Sequence, residues 1–219
     1  MTDAASRRMS ATPVPLWIKL AYLAFLGVLV PVYWRAYGPQ NFLWFSDVAL
    51  FSIAAAVVVE RPAWLRPALV GMVAVGVLPL EIMWCVDFVT GAQFTGLTAY
   101  MFDERATYLK ALSLFHLALP PTTIWLLWRH GYDRRSLVRQ TVLVWIVLPL
   151  TYLIADPALN INWAFGPGNE PQRTIPPLLY LALEMVAIPA FVLFPTDWIL
   201  RRLFRPAYTG GPSRPGELQ

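Results

Sequence analysis

The sequence predicts an all-α, polytopic integral membrane protein with six transmembrane helices and both termini on the cytoplasmic side. Three observations carry this reading. Of the 219 residues, 58% are hydrophobic and 14% charged, with a mean hydropathy of +0.53, far from the roughly 45–50% apolar and about 25% charged of soluble domains. Apolar runs close to the ~20 residues that cross a bilayer recur six times. Basic residues alternate between many and few in successive connections. A soluble fold is excluded, and one transmembrane domain over 1–205 leaves no room for a second.

The first run, 16–34, follows Arg7-Arg8 and Pro13 and looks like a signal sequence. Its apolar stretch is too long for one, and no small-residue cleavage site follows Val30-Pro31, so it reads as an uncleaved first span. The next five are 42–59, 67–89, 110–128, 137–155 and 176–194. After Pro195, the segment 196–204 reads as a short amphipathic interfacial helix, with Trp198 and Leu203 toward lipid and Arg201, Arg202 and Arg205 toward headgroups. The tail 206–219, with Gly210-Gly211-Pro212 and Arg214-Pro215-Gly216, reads as disordered.

Of the 17 Lys and Arg residues, four (Arg35, Arg105, Lys110 and Arg173) fall on one side of these spans. The other thirteen, including Arg7-Arg8, the Arg129 to Arg139 cluster and the Arg201 to Arg205 cluster, fall on the other side, the cytoplasmic face of an inner membrane. The same clusters account for a pI of ≈ 9.4, so membrane lipids are the expected partners and nucleic acid is not. Cys85 is the only cysteine and forms no intramolecular disulfide.

Prolines recur inside the spans at Pro31, Pro79, Pro120-Pro121, Pro149 and Pro189, and each leaves a carbonyl one turn earlier without its donor. Pro120 frees the carbonyl of His116, with Thr122 and Thr123 nearby to supply hydroxyls. Two connections on the outer side, 90–109 and 156–175, are long; they either form binding surface or cap the bundle.

Ionisable residues within spans are costly and point to function by default. Asp47, Glu81, His116 and Glu184 all fall ~9–12 Å from the outer edge at 1.5 Å per residue. They predict one polar pocket opening outward, with Asn160, Asn162 and Trp163 in the loop just beyond. Glu81, Trp84 and Cys85 share a helix face, as do Ser113 and His116. In a catalytic reading His116 is the general base, Asp47, Glu81 or Glu184 raises its basicity, and Cys85 is the candidate nucleophile. Glu184, Asn160, Asn162, Trp163 and Trp84 are then binding residues. The structural alternative is that the same groups hold helices together by buried hydrogen bonds. His130 reads as a solvated residue at the inner boundary. Phosphate-loop, dinucleotide, zinc-protease, Cys-x-x-Cys and nucleophile-elbow motifs are absent from the sequence, so no metal site and no cofactor are expected.

Tyr37-Gly38 followed by Phe42-Leu43-Trp44-Phe45-Ser46-Asp47, together with His116 and Leu119-Pro120, resembles the androgen-induced integral-membrane hydrolases of fatty-acid esters. The resemblance implies a membrane-embedded hydrolase built on His116, but Trp44 stands where that family has a threonine nucleophile. The chain as a whole also resembles a group of bacterial membrane-associated proteins. Asn160-Ile161-Asn162-Trp163 with Gly166-Pro167-Gly168 is similar to a bacterial six-helix family distantly like transmembrane acyltransferases. Three function classes follow: an enzyme acting on acyl lipids, a non-enzymatic protein that binds or moves a small molecule or proton, or a purely structural or partner-binding bundle.

Overall fold

The computed structural model describes residues 13–59, 61–91, 94–168 and 170–207; Arg7, Arg8, Arg214 and the tail beyond Ala207 lie outside the described residues. Nine helices are described: α1 (Leu16–Tyr37), α2 (Phe45–Val58), α3 (Leu65–Gly76), α4 (Leu78–Thr90), α5 (Thr107–Ser113), α6 (Phe115–His130), α7 (Ser136–Ile154), α8 (Pro177–Ile188) and α9 (Phe194–Leu203). No strand occurs among the described residues, only a bridge between Tyr132 and Pro206. The all-α class is as the sequence predicts.

Among the described residues, four helices are long and apolar enough to cross a membrane: Leu16–Tyr37, Thr107–His130, Ser136–Ile154 and Pro177–Leu203. The pair α3 and α4 makes a fifth if counted as one span bent by 54°. The bend falls where Pro79 supplies no donor to the carbonyl of Val75. The second expected run differs most. Pro39–Leu43 forms a 3-10 turn and Trp44 is extended, so α2 begins only at Phe45 and has 14 residues, about 21 Å against the ~30 Å of a hydrocarbon core.

α3 is the centre of the bundle, packed against α2, α6, α7 and α9. Its small residues permit this. A Cβ added at Gly71 would collide with the Ser136 side chain, and one at Gly76 with that of Gln140, so side chains from two successive turns of α7 pack directly on the backbone of α3. Arg66 at the start of α3 is buried because its guanidinium donates to Ala56 O at 2.6 Å and Val59 O at 3.4 Å, closing the C-terminus of α2. α1 is peripheral, burying only Leu29 and Tyr33.

Two of the carbonyls released by proline find partners on neighbouring helices. Trp145 Nε1 donates at 2.8 Å to Met185 O, the acceptor that Pro189 leaves open. Cys85 Sγ lies 3.6 Å from His116 O, the acceptor that Pro120 leaves open. The nearby threonines do not serve it: Thr122 donates to Ala118 O at 2.7 Å. Trp145→Phe is therefore expected to cost about 1 kcal/mol of stability through the lost hydrogen bond, measurable as a lower melting temperature in detergent.

The helix does not break at Pro195. A π turn, Pro189–Leu193, widens the spiral, and Pro195 falls in the first turn of α9, so Pro177–Leu203 runs on as a single element rather than a span followed by a separate interfacial segment. Arg202 stacks on Trp198, but Arg201 turns inward to buried Asp197, Nε to Oδ2 at 2.6 Å. Tyr132, between α6 and α7, donates to the other Asp197 oxygen at 2.7 Å, and burial together with that carboxylate holds its hydroxyl well above the ordinary tyrosine range. His130 is buried, not solvated as its sequence position suggests. The chain from α9 folds back across this end of the bundle: Tyr132 N donates to Arg205 O, and Ala207 N to Tyr132 O.

Candidate functional site

At the other end of the bundle a cavity of about 650 Å³ opens between α1, the start of α2, α4, α6 and the two long connections, within the size range of small-molecule sites. Interruptions in the helices set its charged groups. Asp47 lies in the first turn of α2 and Glu81 in the first turn of α4, and His116 is the second residue of α6. A carboxylate in the first turn of a helix is favoured by the peptide dipoles, which helps to hold two buried acids here.

The centre is a hydrogen-bonded pair: His116 Nδ1 lies 2.7 Å from Glu81 Oε2, and Glu81 is 3% exposed. Aromatic rings grip the imidazole on both faces. Trp84 stacks on it at 4.6 Å and 16°, Phe115 at 4.2 Å and 23°, and Phe88 extends the column on the far side of Trp84 at 5.1 Å. With Nδ1 held by a carboxylate and the ring plane fixed, Nε2 is the nitrogen left for chemistry, and the ring lines the cavity. Asp47 also lines it and is 3% exposed; Asn41 donates to Oδ2 over a long 3.4 Å, and Oδ1 has no hydrogen-bond partner among the described residues.

The long connections are built by asparagines. Asn160 Nδ2 donates to Gly166 O at 2.8 Å and Gly168 O at 2.9 Å, while its Oδ1 accepts from Phe165 N at 3.0 Å. Asn162 reaches across to α2, donating to Leu43 O at 2.7 Å and accepting from Phe45 N, the first amide of the helix, at 2.9 Å. Asn160, Asn162 and Trp163 have φ of 41°, 55° and 62°. Asparagine tolerates that region, but for a tryptophan it is strained by about 1–3 kcal/mol, and the strained residue lines the cavity. Asn162→Ala is expected to free the loop from α2, seen as faster amide hydrogen exchange over 160–168 than in the parent chain.

Of the residues the sequence singles out, His116, Asp47, Trp84, Asn160 and Trp163 line the cavity, and Glu81 reaches it through His116. Asn162 is the anchor of the loop. Cys85 is not among the lining residues; its thiol faces the His116 backbone carbonyl, a use that explains a half-buried cysteine without nucleophilic chemistry. Glu184 is also not among them. It is buried on α8, with Oε2 lacking a hydrogen-bond partner among the described residues, and α8 packs chiefly on α7 and the π turn. Depth along a span fixes a residue's height in the bundle but not the direction it faces, and for Glu184 the direction differs.

Sequence reasoning missed Tyr33, Tyr37, Asn41, Tyr100 and Arg105. The first two stand one turn apart on α1 with rings 5.2 Å apart, a spacing visible in the sequence. Tyr33 shares a 2.7 Å hydrogen bond with Ser113. Burial pushes the Tyr100 hydroxyl up to about 12, against the opposing effect of Ser113. Arg105 is held between the Tyr37 and Tyr100 rings, at 5.9 and 5.4 Å, and pairs with Asp103 at 2.9 Å. Among the described residues no group of three or more His, Cys, Asp and Glu side chains is arranged to hold a metal ion.

The fold and cavity define an apolar helical bundle of membrane type with a ligand-sized, aromatic and acidic cavity at one end. Comparison of the chain with protein-family models, curated proteins and solved structures finds no match.

Proposed function

We propose that this chain is a six-span inner-membrane protein, both termini cytoplasmic, whose outward-facing cavity acts on an acyl lipid with Glu81 and His116 as an acid-base pair. The observation that carries the reading is the 2.7 Å contact of Glu81 with His116 Nδ1 beside a cavity of about 650 Å³. A carboxylate on Nδ1 fixes the tautomer and stabilises the ring once it has taken a proton on Nε2. The cavity is lined from the two connections that carry few basic residues, and the Arg129 to Arg139 and Arg201 to Arg205 clusters gather at the opposite end. That distribution supports the outward orientation. A short second span suits α2, whose 3-10 lead-in brings Asp47 below the outer surface.

With Cys85 committed to a backbone carbonyl, water is the nucleophile. In this mechanism it attacks the ester carbonyl while His116 Nε2 takes its proton; the acyl–oxygen bond then breaks and the alcohol leaves with that proton. The test is mass spectrometry of acyl esters incubated with the purified chain. Release of fatty acid that disappears in His116→Ala supports the reading; no release from any ester, or release indifferent to His116, rejects it. A second reading, a non-enzymatic binding protein, is favoured by one observation: Asp47 lines the cavity, and its buried Oδ1 has no hydrogen-bond partner among the described residues.

A further inference from the structure

The charges around the cavity leave one group over. Two basic side chains line it, and each already has its own carboxylate: His116 has Glu81 at 2.7 Å, and Arg105 has Asp103 at 2.9 Å. Asp47 is the remaining acid. Its Oδ1 is buried without a hydrogen-bond donor among the described residues, and its other oxygen has only the long contact to the neutral amide of Asn41. A buried carboxylate is costly unless a cation or a set of donors meets it. The cavity wall is aromatic: Trp44, three residues before Asp47 in the chain, lines it together with Tyr33 and Trp163. Faces of this kind attract cations, as the guanidinium of Arg105 over Tyr37 and Tyr100 demonstrates within this cavity. A metal ion suits the place poorly, since Asp47 belongs to no group of three ligating side chains among the described residues.

We propose that the cavity binds a ligand bearing an ammonium group, with Asp47 as its counter-ion and Trp44, Tyr33 and Trp163 as the aromatic wall around it. This rests on reading the cavity as a ligand site and names the chemical class that the site takes. An alkylammonium needs few directed hydrogen bonds, so one unpartnered carboxylate oxygen and aromatic faces suffice. The group comes either from a free amine or from a lipid headgroup.

Binding of choline to the purified full-length chain, by isothermal titration calorimetry, is compared with binding of 3,3-dimethylbutan-1-ol, which has the same shape and no charge. Choline is expected to bind at least about tenfold more tightly. Asp47→Asn is expected to erase that preference, and Asp103→Asn, at an acid already paired, to keep it. The comparison of the two probes uses the parent chain alone, so it decides the matter even if Asp47→Asn does not fold. Equal binding of the two probes overturns the ammonium assignment and leaves the cavity as a ligand site. Binding of neither probe overturns it too, and fatty-acid release dependent on His116 would then still support the enzymatic reading. Asp47-dependent choline binding without any ester cleavage keeps the ammonium site and removes the hydrolase. Nanodiscs identify the source: loss of choline binding in phosphatidylcholine but not phosphatidylglycerol discs assigns a lipid headgroup, and equal binding in both assigns a free amine.

Discussion

His116→Ala is expected to lower ester cleavage by about 10²–10⁴-fold, the usual contribution of a positioned general base. Glu81→Gln should fall between that variant and the parent, because an amide oxygen can still accept from Nδ1–H and keep the ring oriented while the charge that stabilises the imidazolium is gone. The loss should appear in kcat more than in KM, since the pair acts on the transferred proton rather than on the bound acyl chain. A structural role predicts a different pattern. His116→Ala alone leaves Glu81, 3% exposed, without its partner, which costs about 3–5 kcal/mol for a buried pair. Replacing both residues, His116→Ala with Glu81→Gln, removes the unpaired charge and should restore much of the melting temperature. If activity returns along with stability, the pair only holds α4 to α6. If stability returns and activity does not, the pair does chemistry.

The helical class and the apolar character were legible because they depend on composition and run length, which no tertiary contact alters. The pairing of Glu81 with His116 was partly legible. Glu81 and Trp84 stand at i and i+3, so one helix face carried the acid and the ring that now meet the histidine. What sequence position could not supply was azimuth. Glu184 lies at the same computed depth as the other three acids and bases, yet α8 presents it away from the cavity. His130 was misjudged for a related reason: neighbouring charges suggested water, while Arg129, Asp133 and Arg201 are in fact tied into contacts that cover that end.

Proline marked the right places without giving their partners. The sequence identifies which carbonyls Pro120 and Pro189 set free, and local reasoning looks to Thr122 and Thr123. The donors are instead Cys85 and Trp145, on other helices. Asn162 was legible as a loop residue of interest but not as the side chain that takes the first amide of α2, because the two are 117 residues apart. The sites that resisted sequence reading are thus those where one helix completes the hydrogen bonding of another.

Gly131→Ala is expected to be among the most destabilising single substitutions at the α6–α7 end of the bundle, and Gly38→Ala is its natural control. The two glycines have nearly the same backbone conformation, φ 79° and ψ 176° at Gly131 and φ 77° and ψ 174° at Gly38. Any residue with a Cβ is strained there, by about 1–3 kcal/mol, so that cost should be common to both. Their surroundings differ. Nothing lies within 4 Å of a Cβ built at Gly38, whereas one at Gly131 would sit 2.8 Å from Arg205 O and 2.9 Å from the Ala207 backbone. Backbone atoms do not rotate away as a side chain does, so the returning C-terminal segment must move. That segment is held by Tyr132 N to Arg205 O at 2.8 Å and Ala207 N to Tyr132 O at 3.0 Å. Displacing it strips both bonds and shifts fully buried Tyr132, whose hydroxyl meets Asp197. Gly131→Ala should therefore lose about 1–3 kcal/mol beyond Gly38→Ala, the usual cost of forcing extra volume into a packed site. Thermal melting of the two variants in the same detergent gives the difference, and limited proteolysis should cut Gly131→Ala near Phe204–Ala207 while leaving Gly38→Ala intact there. Equal melting temperatures would mean that the segment yields at no cost and does not hold α9 against the α6–α7 connection.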